Sequence, residues 1–131
     1  MDLTCISDTH GLHLQVQFPE DRRDVLVIAG DLSGHGSKSE LTQFNEWLGT
    51  VKSDLGYKDI VIVGGNHDMW LQRTNKNVKR ELFSNAIYLE NDACEIRGIK
   101  FWGSPMTPKF MRWAFMDERA EMYKYESVAK C

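Results

Sequence analysis

Three short polar blocks hold the residues of this chain that could do chemistry. They are Asp8-Thr9-His10-Gly11, Gly30-Asp31 and Gly65-Asn66-His67-Asp68. Carboxylate, imidazole and amide oxygen donors suit Mn²⁺, Fe, Zn²⁺ or Mg²⁺ better than a metal that prefers thiolates. One carboxylate can bridge two such ions roughly 3.5–4 Å apart, and such a pair can activate a water and clamp a phosphate. The blocks therefore indicate half of a two-metal phosphoesterase site.

The segments before the blocks predict how the blocks meet. Residues 3–6, 24–29 and 59–63 are short, nearly continuous apolar runs rich in Val and Ile. This pattern is typical of strands buried on both faces of a parallel sheet. Because the carboxyl ends of parallel strands meet at one edge of a sheet, where α/β proteins bind ligands, the three blocks should converge there.

Helices and a hairpin are predicted around that sheet. Residues 37–52 have the apolar spacing of an amphipathic helix, which Ser37 or Ser39 could cap. Its apolar stripe consists of Leu41, Phe44, Trp47, Leu48 and Val51. The remaining predicted elements are a weaker helix at about 75–83, strands at 87–89, 94–96 and 99–102, and a helix at about 117–128. Arg97-Gly98 should join the last two strands in a tight hairpin.

Composition narrows the class of protein. A length of 131 residues predicts one domain, 1–131. The net charge of −3 gives no general attraction to nucleic acid or anionic membrane, so a small substrate is favoured and nucleic acid is not expected. The cysteines, at positions 5, 94 and 131, lack the pairing of a zinc or redox loop, and Cys5 is predicted to be a core residue. Since no apolar stretch approaches the ~20 residues that span a bilayer, we expect no membrane segment and a reducing, cytoplasmic location.

The element order and the three blocks together resemble the calcineurin-like metallophosphoesterase superfamily, from residue 1 to about residue 115. The resemblance implies an α/β fold. Its elements would be a metallophosphoesterase-like β-sandwich flanked by helices, beginning βαβαβ, with the C-terminal part of that fold absent from this chain. It also implies two divalent metals: Asp8 and His10 hold the first, Asp31 bridges both, and Asn66 holds the second. His67 would contact the phosphate and protonate the leaving oxygen, oriented by Asp68.

Two later segments narrow the resemblance. Residues 101–108 and 112–115 are similar to a small intracellular subgroup, the metallophosphoesterase-domain-containing proteins, whose members act on phosphodiesters including cyclic nucleotides. The resemblance thus implies hydrolysis of small-nucleotide phosphodiesters by a metal-bound hydroxide, with His67 as the general acid. The chemistry is consistent, because a metal lowers the pKa of its bound water towards 7 and a protonated imidazole can supply the leaving-group proton.

The chain departs from that family in its histidines. Family members supply three further histidines from later strands, in a Gly-His and a Gly-His-x-His segment. The four histidines here are His10, His13, His35 and His67, so none follows the third block, and the second metal keeps only Asp31 and Asn66. Three explanations stay open: the chain is a piece of a longer protein, a partner supplies ligands, or the site holds one metal or none. An open sheet edge promotes pairing, so we expect a homo-oligomer or a completing partner.

The same residues also have plainer explanations. Turn and cap roles for the acidic and amide residues of the blocks are disfavoured, because all three blocks occur together and in order. For His13 and His35, an exposed loop position is favoured over a ligand role. Three tryptophans could stack a nucleobase, but core or subunit contacts are favoured for Trp70, Trp102 and Trp113. The basic residues Lys76, Lys79 and Arg80 are expected on a solvated helix face.

Two competing functions follow from this sequence. One is a non-catalytic relic of the fold that binds a nucleotide, a metal or a protein. The other is a structure-selective nuclease, which is disfavoured because the chain has no basic stripe for grasping nucleic acid.

Overall fold

The computed structural model describes residues 1–126, and its centre is a sheet of four parallel strands. In spatial order these are β1 (Leu3–Ile6), β2 (Val25–Ala29), β3 (Asp59–Val63) and β4 (Ile87–Leu89). The register pairs Cys5 with Val27 and Val27 with Val61, so the carboxyl ends of the first three strands lie side by side. The predicted strands and the α/β fold class are confirmed.

A long helix, α1 (Lys38–Leu55), packs on one face of the sheet, and the whole predicted apolar stripe is buried there. Ser37, rather than Ser39, is the cap. Its Oγ accepts a hydrogen bond from the Glu40 amide, and the Glu40 carboxylate accepts one from the Ser37 amide, a reciprocal cap of the kind that contributes about 1 kcal/mol. The Glu40 carboxylate also accepts from the amides of Gly34 and His35. The start of α1 therefore holds the loop that follows β2.

Two short helices, α2 (Met69–Arg73) and α3 (Lys76–Leu82), follow β3. The second matches the prediction and is capped by Asn75, whose Oδ1 accepts from the Asn77 amide. The first was missed because five residues are too few to show helical periodicity. Within residues 1–126, no helix combines the length and the apolar composition needed to cross a lipid bilayer.

The other face of the sheet is covered by a hairpin of β5 (Asp92–Ile96) and β6 (Ile99–Gly103). Its turn residues, Arg97 and Gly98, both have positive φ, at 51° and 81°. This is the backbone of the tight hairpin that the sequence predicts. Beyond the hairpin, two-residue strands β7 (Thr107–Pro108) and β8 (Met116–Asp117) pair in parallel.

The helix predicted at 117–128 is only partly right. Asp117 ends β8, and a 3-10 turn at Arg119–Glu121 precedes a short helix, α4 (Tyr123–Glu126). Residues 127 and 128 lie outside the described residues. Pairing between β7 and β8, which connects segments nine residues apart, competes with local helical periodicity at the start of this segment.

Strand β1 is exposed on one face, which corrects the expectation of strands buried on both. Cys5 is exposed and Leu3 is 49% exposed, so the prediction that Cys5 is a core residue is wrong. β1 lies at the edge of the sheet, and the apolar cluster beneath the hairpin draws on β2, β3 and β4. The two-stranded hairpin does not extend over the edge strand.

Lys79 also differs from its prediction, because it is only 3% exposed. Its Nζ donates to Glu90 Oε1 at 2.6 Å and lies over the rings of Tyr88 and Phe115. Lys76 and Arg80 remain nearer the surface and both pair with Asp92. The amphipathic pattern of α3 does not predict this contact, because the carboxylate belongs to Glu90, which follows β4.

Asp24 ties the amino terminus and the hairpin to the sheet. Its Oδ2 accepts from the Asp2 amide, and its Oδ1 accepts from Arg97 Nη1 at 3.0 Å and from Lys58 Nζ. The hydrogen bond from the Asp2 amide, followed by that from Arg97, lowers the pKa of Asp24 from 3.8 to about 2.

This depressed pKa predicts a pH-dependent loss of stability in an Asp24→Asn variant. A group whose pKa is lower when folded stabilises the fold above its unfolded pKa, and that contribution disappears as pH falls through the folded pKa. We expect the variant to be less stable than wild type at neutral pH, with the difference shrinking between about pH 4 and pH 2. Urea unfolding across this range measures it, with Asp21→Asn as the surface control. A difference that stays constant with pH would contradict the assignment.

Candidate metal centre

The three polar blocks converge at the carboxyl edge of the sheet, as predicted. The first loop runs alongside the second and is joined to it by backbone hydrogen bonds. The Asp8 amide donates to the Gly30 carbonyl at 3.0 Å, the His10 amide to the Asp31 carbonyl at 3.0 Å, and the Gly11 amide to the Leu32 carbonyl. The third loop approaches through the His67 amide, which donates to Asp31 Oδ1 at 3.0 Å. Asp31 is therefore the point where all three loops meet.

Three residues at this edge hold a left-handed backbone. The φ angles of Asp8, His10 and Asp31 are 55°, 45° and 52°. This conformation costs a non-glycine residue roughly 1–2 kcal/mol and persists only where the surrounding structure enforces it. Here the inter-loop hydrogen bonds enforce it. The same backbone conformation occurs elsewhere, for example at Arg97, but here it falls on the three residues that the sequence predicts as ligands of the first metal.

The carboxylates of Asp8 and Asp31 both lie close to the imidazole of His10. His10 Nε2 is 3.6 Å from Asp8 Oδ1 and 3.8 Å from Asp31 Oδ2. Ligands bound at about 2.1 Å to one octahedral ion are separated by about 3.0 Å when adjacent and about 4.2 Å when opposite. A hydrogen bond from Ser7, with smaller contributions from Asp31 and His10, lowers the pKa of Asp8 despite its partial burial. Asp8 is therefore ionised at neutral pH, as a metal ligand must be.

Asn66 lies against the other side of Asp31. One atom of its amide is 3.1 Å from Asp31 Oδ2 and 3.2 Å from Oδ1. If that atom is nitrogen, it donates to the carboxylate. If it is oxygen, acceptor oxygens face each other at the separation of adjacent ligands on one cation. In either orientation the Asn66 amide is in contact with the Asp31 carboxylate.

His67 stands beside the same carboxylate. One ligand atom from each of His10, Asp31 and His67 lies within 4.8 Å of the others, close enough to surround a metal ion. The rings of His10 and His67 meet edge to face, with centroids 4.6 Å apart. His67 Nδ1 is 3.3 Å from the Gly34 carbonyl oxygen. Its position is compatible with either a metal ligand or a proton donor to a bound phosphate.

Asp68 is fully buried, and its described hydrogen bonds do not include the His67 ring. Its carboxylate accepts from the amides of Leu32, Ser33 and Gly65 and from Ser33 Oγ. Burial raises the pKa of Asp68, although these four donors act in the opposite direction. Asp68 therefore fastens the second loop to the third, the loop that carries His67. The carbonyl of Gly34, which the sequence does not single out, is the hydrogen-bonding contact of the imidazole.

Comparison with known proteins assigns the family. Residues 1–106 match the family model for Calcineurin-like phosphoesterase. The chain belongs to the calcineurin-like phosphoesterase family. This confirms the predicted superfamily, whose members are phosphoester hydrolases that use divalent metals, and the His/Asp group described above is where the chain could hold one.

One relative of this chain carries the name of the predicted subgroup. The chain is 32% identical to human Metallophosphoesterase domain-containing protein 1, over 85% of this chain and 39% of that protein. It is also 32% identical to UPF0046 protein T07D4.2 of Caenorhabditis elegans, over 89% of this chain and 35% of that protein. A third relative, Probable rhamnogalacturonate lyase C of Emericella nidulans, is 32% identical over 98% of this chain but only 12% of that protein. The chain therefore spans well under half the length of these relatives.

A cleft of about 560 Å³ opens beside His67 at the candidate metal centre. His35 lines it and is exposed, as predicted. His13 is not an exposed loop residue: its ring packs against Phe44 and Trp47, and burial lowers its pKa. Trp113, for which a core or subunit contact is favoured from sequence, is partly buried and lines the cleft.

Gly65 leaves no room for a side chain in this site. A Cβ atom there would collide with the backbone nitrogen and Oδ1 of Asp31. We expect Gly65→Ala to displace Asp31 and weaken Mn²⁺ binding by roughly 10- to 100-fold, the range for residues that orient metal ligands. Gly98→Ala is the control, since it strains the hairpin backbone, where φ is 81°, but places its methyl in open space. Equal Mn²⁺ affinity in both variants, measured by calorimetry, would contradict this close approach.

Proposed function

We propose that this chain is a metal-dependent phosphoesterase that hydrolyses phosphodiesters of small nucleotides. The observation that supports the proposal most strongly is the cluster of donor atoms around Asp31. His10 Nε2 lies 3.8 Å from Asp31 Oδ2 and 3.6 Å from Asp8 Oδ1. The side chains of Asn66 and His67 lie beside the same Asp31 carboxylate. These groups stand at the carboxyl ends of three adjacent parallel strands. That is the position where α/β proteins bind ligands.

Each residue of the centre has a distinct role in this proposal. Asp8, His10 and Asp31 would hold a first divalent ion, and Asp31 and Asn66 would hold a second. Oxygen and imidazole donors suit Mn²⁺, Fe, Zn²⁺ or Mg²⁺ better than metals that prefer thiolates. When bound, such ions supply an activated water and neutralise the charge that develops on the phosphoryl oxygens.

His67 supplies the proton to the leaving oxygen. The Gly34 carbonyl 3.3 Å from Nδ1 can only accept a hydrogen bond, so Nδ1 carries a hydrogen and Nε2 is the atom that exchanges protons with the substrate. This contact also fixes the orientation of the ring. The carboxylate of Asp68 holds the loop on which His67 sits, through its bonds to the Gly65 amide and the second loop.

The substrate class is tested by comparing phosphoesters of different kinds. The Mn²⁺-loaded chain should hydrolyse bis(4-nitrophenyl) phosphate and cyclic AMP. It should act weakly on 4-nitrophenyl phosphate, and it should leave single- and double-stranded DNA intact because the net charge is −3. Turnover of the monoester alone, or of DNA in preference to cyclic AMP, would overturn the proposed substrate. Mn²⁺ binding without turnover of any ester would favour the non-catalytic alternative.

We propose that the chain self-associates, and that this association completes the site or stabilises the sheet. The exposed face of β1 supports this proposal. Leu3 and Cys5 are exposed on the edge strand, next to an apolar cavity of about 250 Å³ lined in part by Val27, Val63 and Phe101. An unpaired edge with apolar neighbours promotes association between chains.

We therefore predict a dimer or larger oligomer in sedimentation experiments on the 131-residue chain. Leu3→Glu should shift it towards monomer, because a charge would be buried in the contact. Leu14→Glu, at a residue that is 81% exposed, is the matched control. A monomeric wild-type chain that holds two tightly bound ions would contradict the proposal.

We also propose a cytoplasmic location. The thiols of Cys5 and Cys94 are free, which fits a reducing compartment. Cell fractionation with a tagged chain tests this, and recovery with secreted or organelle markers would contradict it.

A further inference from the structure

A strap formed by residues 107–117 places an aromatic side chain on the candidate acid. Its ends are held by β7 and β8, and the Thr107 amide donates to the Phe115 carbonyl at 2.9 Å. In its middle, the Ala114 amide donates to the Asn66 carbonyl at 3.0 Å. This bond ties the strap to the third polar block. Trp113, the preceding residue, lies with its ring centroid 4.2 Å from that of His67, at an interplanar angle of 40°.

The cleft beside His67 has the composition of a site for a planar, anionic molecule. Its apolar walls come from Met69, Met111 and Trp113, and Arg112 adds a positive charge at the exposed rim. No carboxylate is among the described residues that line it. Tryptophan and methionine pack on flat rings, and a guanidinium can stack on a ring or pair with a phosphate.

We propose that Trp113 and Arg112 form a subsite for the leaving group of the substrate, and that this group carries a planar ring such as a nucleobase. The inference rests on the proposed function, because it takes His67 as the acid that protonates the leaving oxygen. The substituent on that oxygen must extend away from His67 Nε2. The side chain that contacts the His67 ring, and that also lines the cleft, is Trp113. Trp113 therefore determines specificity for a leaving group with a planar ring. Arg112, at the rim of the cleft, neutralises the negative charge of the substrate.

Kinetics with a matched pair of substrates test the subsite. Cyclic AMP and the same cyclic ribose phosphate without its base share the scissile bond and differ only in the ring. We expect Trp113→Ala to lower kcat/KM for cyclic AMP by roughly 5- to 100-fold, the effect of losing one stacked base. The kcat/KM for the base-free substrate should change less than about twofold. Trp113→Phe should keep most of the activity towards cyclic AMP because it retains an aromatic face.

The control is Trp70→Ala, which removes another partly buried tryptophan outside the cleft. It should leave kcat/KM for both substrates unchanged. An equal loss on both substrates would mean that Trp113 acts only by holding His67, and would overturn the subsite.

Binding separates failure of the subsite from failure of the proposed function. If the wild-type chain hydrolyses neither substrate, the function proposed above is wrong, yet the subsite can still be measured by titration calorimetry with AMP and ribose 5-phosphate. A preference of wild type for AMP that disappears in Trp113→Ala, and persists in Trp70→Ala, would support the subsite without any turnover. The absence of a preference for AMP in wild type would overturn it.

Discussion

Asp31→Ala should reduce metal-dependent hydrolysis of bis(4-nitrophenyl) phosphate to the detection limit and remove bound metal. Asp31 is the residue on which all three loops converge. Its carboxylate lies 3.8 Å from His10 Nε2, about 3 Å from the Asn66 amide, and accepts from the His67 amide. Losing a single electrostatic stabiliser of a transition state costs about 10²–10³ in kcat. Because Asp31 can contact both ions, we expect a loss of at least about 10³.

Neighbouring variants calibrate this effect. Asp8→Ala and Asn66→Ala should each weaken the binding of one ion and leave the binding of the other unchanged. Asp31→Ala should weaken the binding of both ions. Metal content by mass spectrometry and turnover are measured on the same preparations, and circular dichroism confirms that each variant is folded. If Asp31→Ala kept wild-type turnover and metal content, the bridging role would be wrong.

His67→Ala should slow turnover by roughly 10²–10⁴, the range for loss of a general acid, while bound metal is retained. The loss should be smaller for esters of nitrophenol than for esters of simple alcohols, because nitrophenolate departs without needing a proton. This dependence on the leaving group distinguishes proton donation from a general disturbance of the site. His35→Ala is the control, since His35 is exposed in the same cleft and has no assigned role.

The metal content of His67→Ala decides whether His67 is a metal ligand or a proton donor. The ligand atom of His67 is close enough to those of His10 and Asp31 to share an ion. Loss of one ion in His67→Ala would therefore identify His67 as a ligand that substitutes for the histidines this chain lacks. An equal loss of rate for good and poor leaving groups would also argue against the acid role.

Much of the framework follows from local pattern. The buried strands carry near-continuous Val and Ile, and α1 carries both a capping box at Ser37 and a complete apolar stripe. The meeting of the polar blocks follows from geometry, because parallel strands end at one edge. These features depend on residues close in sequence, or on a rule that holds for every parallel sheet.

The features that the sequence pattern does not predict depend on contacts between distant segments. Asp68 bonds to Leu32 and Ser33, more than 30 residues earlier, and so serves the loops rather than the His67 ring. His13 is buried because α1 brings Phe44 and Trp47 against it. Lys79 is buried because Glu90 lies beneath α3. Periodicity describes which face a residue occupies, and it carries no information about which distant side chain completes the contact.

The most direct test of metal-dependent hydrolysis is a titration that follows binding and activity together. The chain is stripped with a chelator, Mn²⁺ is added stepwise, and bound metal and hydrolysis of bis(4-nitrophenyl) phosphate are measured in each sample. The centre built on Asp8, His10, Asp31 and Asn66 predicts no turnover in the stripped chain, recovery in proportion to bound Mn²⁺, and neither binding nor recovery in Asp31→Ala. Turnover that persists in the stripped chain, or recovery that is the same in Asp31→Ala as in wild type, would contradict it.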